Sequence, residues 1–251
     1  MKKILFPHIE KWLLLLVPLV VLGFYPSYWS KLLSVDKTAI QHVHAFLMCL
    51  WVIMSLVQPY LILKKKIQAH KIIGKISYGL MPLIVISGYL LIQARYERVL
   101  FRVQDRVATG ELQLTPEEVL GRVASSQTIG ILFLLLLIIC YVLAIVHRKK
   151  ILPHATYMLG AIFTSIDPAL DRLIGFWSNA YELEPNFFIT YGSQLFAMVL
   201  LLALAIYQRS KQLSLKPVLV VIGLYAIVFL INNNASETAV WRGFVELFLF
   251  R

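Results

Sequence analysis

The stretch QTIGILFLLLLIICYVLAIV, residues 127–146, is followed directly by the basic run HRKK, residues 147–150. It is close to the roughly 20 apolar residues that a helix needs to cross the hydrocarbon core of a bilayer. Cytoplasmic loops collect Lys and Arg, so the basic run indicates that this helix ends on the cytoplasmic side. The stretch therefore predicts a transmembrane helix, and the rest of the chain repeats its pattern.

Further apolar runs of similar length occur on both sides of it. Hydrophobic residues make up 59% of the 251 residues, and the mean hydropathy is +0.77, well above the values of a soluble domain. The other predicted spans are approximately 12–29, 40–63, 72–95, 154–177, 187–207 and 216–232. The sequence therefore predicts one integral membrane domain, 1–251, which is an all-α polytopic bundle of about seven transmembrane helices.

Basic residues are concentrated at the N-terminus and on every second loop, and this pattern predicts the orientation. They are Lys2, Lys3 and Lys11; Lys64, Lys65, Lys66, Lys71 and Lys75; Arg148, Lys149 and Lys150; and Arg209, Lys211 and Lys216. By the positive-inside rule, the N-terminus is cytoplasmic, the C-terminus is external, and the protein belongs to the inner (plasma) membrane. The net charge of +11 thus indicates topology and contact with lipid, and it does not predict nucleic acid as a partner.

The one long connection, 96–126, is predicted to be external. Val99, Val103 and Val107 recur at helical spacing, so the third span is expected to continue as an amphipathic helix near the headgroups and to stop at Gly110. Thr115 and Glu118 form a capping-box pattern that predicts the start of the next helix.

Ionisable groups inside transmembrane helices are costly, so they default to a functional or a paired structural role. On the cytoplasmic side the predicted spans place His70, His154 and Gln58 in one polar layer. On the outer side they place His42 or His44 at the depth of the fifth span's charged residues. His42 and His44 are two residues apart and point to different sides of a helix, so at most one faces a given pocket.

The fifth predicted span carries the sharpest signal. Asp167 and Asp171 are four residues apart and share a helix face, Arg172 follows, and Pro168 leaves the carbonyl of Thr164 without its helical donor. These charges favour either a functional site or an Asp–Arg pair that locks helices together.

These residues resemble the pattern of a family of uncharacterised bacterial multi-pass membrane proteins that is classed as a domain of unknown function. That pattern is His, then Gln, then His-Arg-x-x-Gly-Arg, then His-x-x-x-Met and a later Arg. The matching residues here are His44 or His42, Gln58, His70, Lys71, Gly74, Lys75, His154, Met158 and Arg172. Lys replaces both Arg residues of the central motif, and Asp167 and Asp171 are additions. The resemblance implies a membrane protein without implying an activity.

Three hypotheses of function follow. The first is a membrane redox protein that holds haem b or a transition metal, because histidine is the ligand that such sites need. Its cofactor-binding residues would be His44, His70, His154, Gln58 and Arg172, and a metal could instead use His42, His44, Asp167 and Asp171. The second is a proton-coupled small-molecule transporter that uses the charged, Pro-interrupted helix. The third is a structural or assembly subunit that contacts other membrane subunits. No motif of a hydrolase or a nucleotide-binding enzyme is present, and enzymatic activity is left open.

Overall fold

The computed structural model describes residues 8–34 and 37–249. Within these ranges the chain is almost entirely helical and contains no strand, which confirms the all-α prediction. Lys2 and Lys3, which contribute to the predicted orientation, lie outside the described residues. The helices are α1 (Ile9–Trp12), α2 (Leu16–Phe24), α3 (Ala39–Leu63), α4 (Ile67–Ala108), α5 (Pro116–Val146), α6 (Ile151–Phe163), α7 (Ile166–Ala180), α8 (Phe187–Ser210), α9 (Lys216–Asn234) and α10 (Ala239–Phe248).

Five of these helices, α3, α4, α5, α8 and α9, are long and apolar enough to cross a membrane. Each of them contains one predicted span: α3, α8 and α9 end close to the predicted bounds, whereas α4 continues to Ala108 and α5 begins at Pro116. The spans could be predicted because length and apolarity are properties of each segment taken alone. The protein is therefore a multi-pass helical membrane protein. The number seven and the orientation of the termini stay predictions.

The first and fifth predicted spans are not single helices. The region of 12–29 is divided into α1, a short 3₁₀ turn at Leu13–Leu15, α2 and a second 3₁₀ turn at Trp29–Lys31. The region of 154–177 is divided between α6 and α7 at Thr164 and Ser165. Pro168 has no backbone N–H to donate to Thr164, so the helical hydrogen-bond ladder is broken there.

The apolar side chains form two clusters. The larger one lies between the helices of the main bundle and includes Trp51, Ile84 and Leu201. The smaller one joins the C-terminal part of α4, the N-terminal part of α5 and α10, and includes Val103, Val123 and Val245. The segment that follows the third predicted span and the segment that precedes the fourth therefore pack against each other and against α10.

The predicted helix stop at Gly110 and the predicted helix start at Thr115, within the long connection, are confirmed. Helix α4 ends at Ala108, and Gly110 follows with a φ of 76°, a left-handed conformation that Gly adopts without steric cost. Helix α5 begins with the predicted capping box, in which Thr115 and Glu118 bond each other's backbone N–H groups. Val99 and Val107 pack with Val103 into the smaller cluster, so the apolar side of the amphipathic segment is covered by protein.

Candidate functional site

His70 and His154 lie together at the bases of α4 and α6. Each is in the first turn of its helix, directly after a basic turn, and each is half-buried. Their imidazole ring centroids are 6.5 Å apart and the ring planes are nearly perpendicular, at 87°. The sequence predicted that these residues share one depth, and α5, which packs against both α4 and α6, brings them together.

A hydrogen bond to α5 fixes the orientation of His154. Its Nδ1 is 2.9 Å from the carbonyl oxygen of Ala144. A carbonyl only accepts, so Nδ1 carries the proton and donates it, which leaves Nε2 as the nitrogen with a free lone pair. Histidines that ligate metals usually donate their other ring N–H to a carbonyl or carboxylate in this way.

Gln58 of α3 completes this cluster. Its Nε2 donates to the backbone carbonyl of His70 at 3.4 Å, which holds the amide against the start of α4. Its Oε1 is buried and has no hydrogen-bond partner among the described residues, and the same is true of Nδ1 of His70. A buried polar atom without a partner costs about 1–3 kcal/mol, so each of these two atoms is a candidate for an interaction that the surrounding side chains do not supply. We call Gln58, His70 and His154 the inner cluster.

The two histidines at the start of α3 face different elements. The Nδ1 atom of His42 is 3.0 Å from the hydroxyl of Tyr28, in the segment that precedes α3. The Nδ1 atom of His44 is 3.0 Å from the hydroxyl of Ser87 on α4. The expectation that at most one of them faces a given pocket is therefore met, and His44 is the one that points between α3 and α4.

The charges of α7 are divided between two faces of the helix. Asp167 is buried, with 4% of its surface exposed, and the hydroxyl of Ser193 on α8 lies within hydrogen-bonding reach of its carboxylate. Asp171, one turn later, is exposed. Arg172 instead faces α2, where its guanidinium lies 4.5 Å from the ring centroid of Phe24. The same guanidinium donates to the carbonyl of Pro168, one turn earlier on α7, at 2.7 Å.

No Asp–Arg lock is formed on α7. The ion pairs within the described part of the chain join His8 to Glu10, Arg106 to Glu111 and Arg242 to Glu117. None of them includes Asp167, Asp171 or Arg172. Arg172 interacts electrostatically with both acids, with Arg95 and with His44, but it contacts none of them as an ion pair. The reason is geometric, because five residues along a helix separate the side chains of Asp167 and Arg172 by about 140°.

The metal set predicted at the outer side is not assembled. In residues 8–34 and 37–249, no three His, Cys, Asp or Glu side chains lie where they could hold a metal ion together. His42 faces Tyr28, His44 faces Ser87, and Asp167 faces Ser193 on α8. These side chains point into different interfaces and do not converge on one point.

Sequence reasoning missed the partners that orient the candidate residues. Ser87, Ser193 and the carbonyl of Ala144 each contact one of them. Ser is common in packed transmembrane helices, and a backbone carbonyl leaves no trace in the sequence. A helical wheel of α8 would have placed Ser193 on its buried side, but it would not have shown which neighbouring helix that side meets.

The chain matches no protein-family model, and no curated protein or solved structure similar to it was found.

Proposed function

We propose that this protein is a membrane metalloprotein that binds one transition metal ion in the inner cluster and uses it in a redox reaction. His70 and His154 would supply imidazole nitrogens, and Gln58 would supply the amide oxygen. The observation that carries the proposal is that the imidazoles of His70 and His154 are neighbours. Beside them, Gln58 Oε1 and His70 Nδ1 are buried and lack a hydrogen-bond partner among the described residues.

The chemistry of these side chains fits a transition metal. Imidazole suits iron, copper, nickel and zinc, and of these iron and copper change oxidation state. The hydrogen bond from His154 to Ala144 provides the outer support that metal-ligating histidines usually have. The three residues are also among those that carry the resemblance to the uncharacterised membrane family, and they come from α3, α4 and α6.

A bare metal ion is favoured over haem b. A porphyrin needs an open slot of its own size beside its axial ligands, whereas the side chain of Gln58 packs at the backbone of His70. One groove of about 320 Å³ lies on α4 and α5 and is lined by residues such as Tyr78 and Tyr141. Neither histidine of the inner cluster borders it. Haem b is the alternative ligand, and the absorption spectrum described below would detect it.

We also propose that the chain crosses the plasma membrane seven times with its N-terminus in the cytoplasm. The regions α1–α2 and α6–α7 would be the two interrupted crossings. The interruption at Thr164 and Ser165 is buried within the protein, the setting in which broken helices are tolerated at membrane depth. The positive charge on alternate loops supports the orientation.

Metal analysis of the purified protein tests the function. The protein in lipid nanodiscs is loaded with Cu²⁺ or Fe²⁺, passed over a desalting column and assayed for bound metal and for its absorption spectrum. We expect about one metal ion per chain, and at least a tenfold weaker affinity in His70→Ala and in His154→Ala, since each removes a ligand. Reversible reduction and reoxidation of the bound ion would support the proposed redox function.

His147→Ala is the matched control. His147 lies in the same basic turn, seven residues before His154, but its Nδ1 bonds the carbonyl of Leu143 and its ring packs near Tyr157. We expect this variant to bind metal as the unmodified protein does. A folded protein that retains no metal, or equal retention in all three variants, would contradict the proposal. A Soret band would replace the bare ion with haem.

A further inference from the structure

Asp167 is a buried carboxylate that Arg172 influences electrostatically but does not contact as an ion pair. It is 4% exposed, it forms no ion pair with any described residue, and its Oδ1 has no hydrogen-bond partner among them. A buried carboxylate that no cation contacts directly is costly, so a bound cation or a proton would stabilise it. This group lies outside the inner cluster and has no part in the function proposed above.

Thr164 supplies neutral oxygen atoms close to Asp167 in the chain. It precedes Asp167 by three residues, at the break between α6 and α7, and it is 6% exposed. The hydroxyl of Thr164 donates to the carbonyl of Ala161 at 2.8 Å, so its lone pairs remain available to a ligand. Ser193 on α8 reaches the carboxylate and holds it toward the interface of α7 and α8.

The break between α6 and α7 supplies a further oxygen. Pro168 lacks the N–H that would bond the carbonyl of Thr164 in a regular helix, and the backbone tightens so that Ser165 N–H bonds the carbonyl of Ile162 at 3.0 Å. Interrupted transmembrane helices use carbonyls freed in this way to coordinate small cations. The carboxylate and the freed carbonyl both belong to the same short stretch, residues 164–167.

We propose that Asp167 and Thr164 form a binding site for one sodium ion at the break between α6 and α7, with Ser193 orienting the carboxylate. A single buried carboxylate matches a single positive charge, and Arg172 on the neighbouring face of α7 disfavours a divalent ion. Hard cations of this kind prefer oxygen ligands. A proton on the carboxyl would also cancel the charge, and the binding experiment below distinguishes a proton from a sodium ion.

This site is separate from the inner cluster. Asp167 follows His154 by thirteen positions in the sequence, which corresponds to about 20 Å along a helix axis. The two sites also involve different helices. The inner cluster consists of residues of α3, α4 and α6, whereas the proposed sodium site lies between α7 and α8. Each can therefore be tested while the other is left intact.

Binding of ²²Na⁺ to the full-length protein in lipid nanodiscs tests the inference, with choline chloride keeping the ionic strength constant. We expect saturable binding of one ion per chain that unlabelled Na⁺ displaces and choline does not. Asp167→Asn should abolish binding. Thr164→Val, which keeps the shape of the side chain and removes the hydroxyl, should weaken it on the order of tenfold. Gel filtration and thermal unfolding establish that each variant is folded.

Two variants serve as matched controls. Asp171→Asn removes the exposed acid on the same face of α7, and His154→Ala removes a ligand of the inner cluster; both should bind ²²Na⁺ as the unmodified protein does. Absence of saturable ²²Na⁺ binding to the folded protein overturns the proposal and leaves a proton at Asp167. Binding that persists in Asp167→Asn, or that Ca²⁺ displaces more readily than Na⁺ does, also overturns it. If Asp167→Asn does not fold, unchanged affinity in Thr164→Val overturns it instead.

Discussion

A hydrogen bond between two hydroxyl groups joins two of the central helices, α4 and α5. The hydroxyls of Ser77 on α4 and Tyr141 on α5 are 2.7 Å apart in the core, and the Ser77 hydroxyl is also within 2.6 Å of the carbonyl of Gly74. The ring of Tyr141 packs edge-on against Trp51 of α3. One phenol therefore connects three helices just above the inner cluster.

Removing that phenol hydroxyl should loosen the three helices slightly. We expect Tyr141→Phe to lower the free energy of unfolding by about 1 kcal/mol, since hydrogen bonds between transmembrane helices contribute about 0.6 kcal/mol on average and up to about 1.7. Thermal unfolding in detergent measures it. Tyr78→Phe on the exposed side of α4 is the control, and equal melting temperatures for the two variants would show that the bond contributes nothing.

At the scale of helices, two crossings decide how the interrupted segments pack. Helix α2 lies on α7 at Gly23, where a methyl group would overlap the carbonyl oxygen of Ala169. Small residues allow such close approach of helix backbones in membranes. The crossing also brings Phe24 to Arg172, so it holds the guanidinium on the side of α7 away from Asp167.

A methyl group at Gly23 should therefore separate α2 from α7. We expect Gly23→Ala to destabilise the protein by roughly 1–3 kcal/mol, because backbone atoms cannot move aside as a flexible side chain would. The melting temperature in detergent reports it. Gly223→Ala on α9, where a new Cβ would meet nothing within 4 Å, should leave the melting temperature unchanged or raise it. A similar effect of both substitutions would argue against the close crossing.

For the molecule as a whole, the length of α4 has the largest effect on shape. Its 42 residues extend about 63 Å, whereas the bilayer with its headgroups is about 40–45 Å thick. A helix of this length exceeds the thickness of a bilayer, and its C-terminal part, which follows the predicted span 72–95, is covered on its apolar side by α5 and α10. Trp241 of α10 donates to Thr128 of α5 at 2.6 Å, and Arg242 pairs with Glu117.

Labelling with a membrane-impermeant thiol reagent tests the proposed orientation. In a protein whose Cys49 and Cys140 are replaced by Ala, Gln113→Cys lies in the exposed turn between α4 and α5, and Lys149→Cys lies in the exposed turn between α5 and α6. In right-side-out vesicles we expect the first to be labelled at once and the second only after permeabilisation, because basic loops stay in the cytoplasm. The reverse pattern would invert the proposed topology, and equal labelling of both before permeabilisation would contradict it.

The sequence by itself determined the features that depend on neighbouring residues. The five long helices, the capping box at Thr115 and the stop at Gly110 follow from apolar length and from local backbone chemistry. The break near Pro168 also followed, because the missing N–H is a property of that one residue. The shared depth of His70 and His154 required only the counting of residues along predicted spans.

The tertiary structure decided which side chains meet, because that depends on the rotation and crossing of helices distant in sequence. It placed the ring of His154 under the carbonyl of Ala144, directed Arg172 to Phe24 instead of Asp167, and separated His42 from His44. It also left Asp167 buried beside Ser193 with an unpaired oxygen. Hydrophobic periodicity shows which face of a helix is buried, but only the packed structure shows which neighbouring helix covers that face.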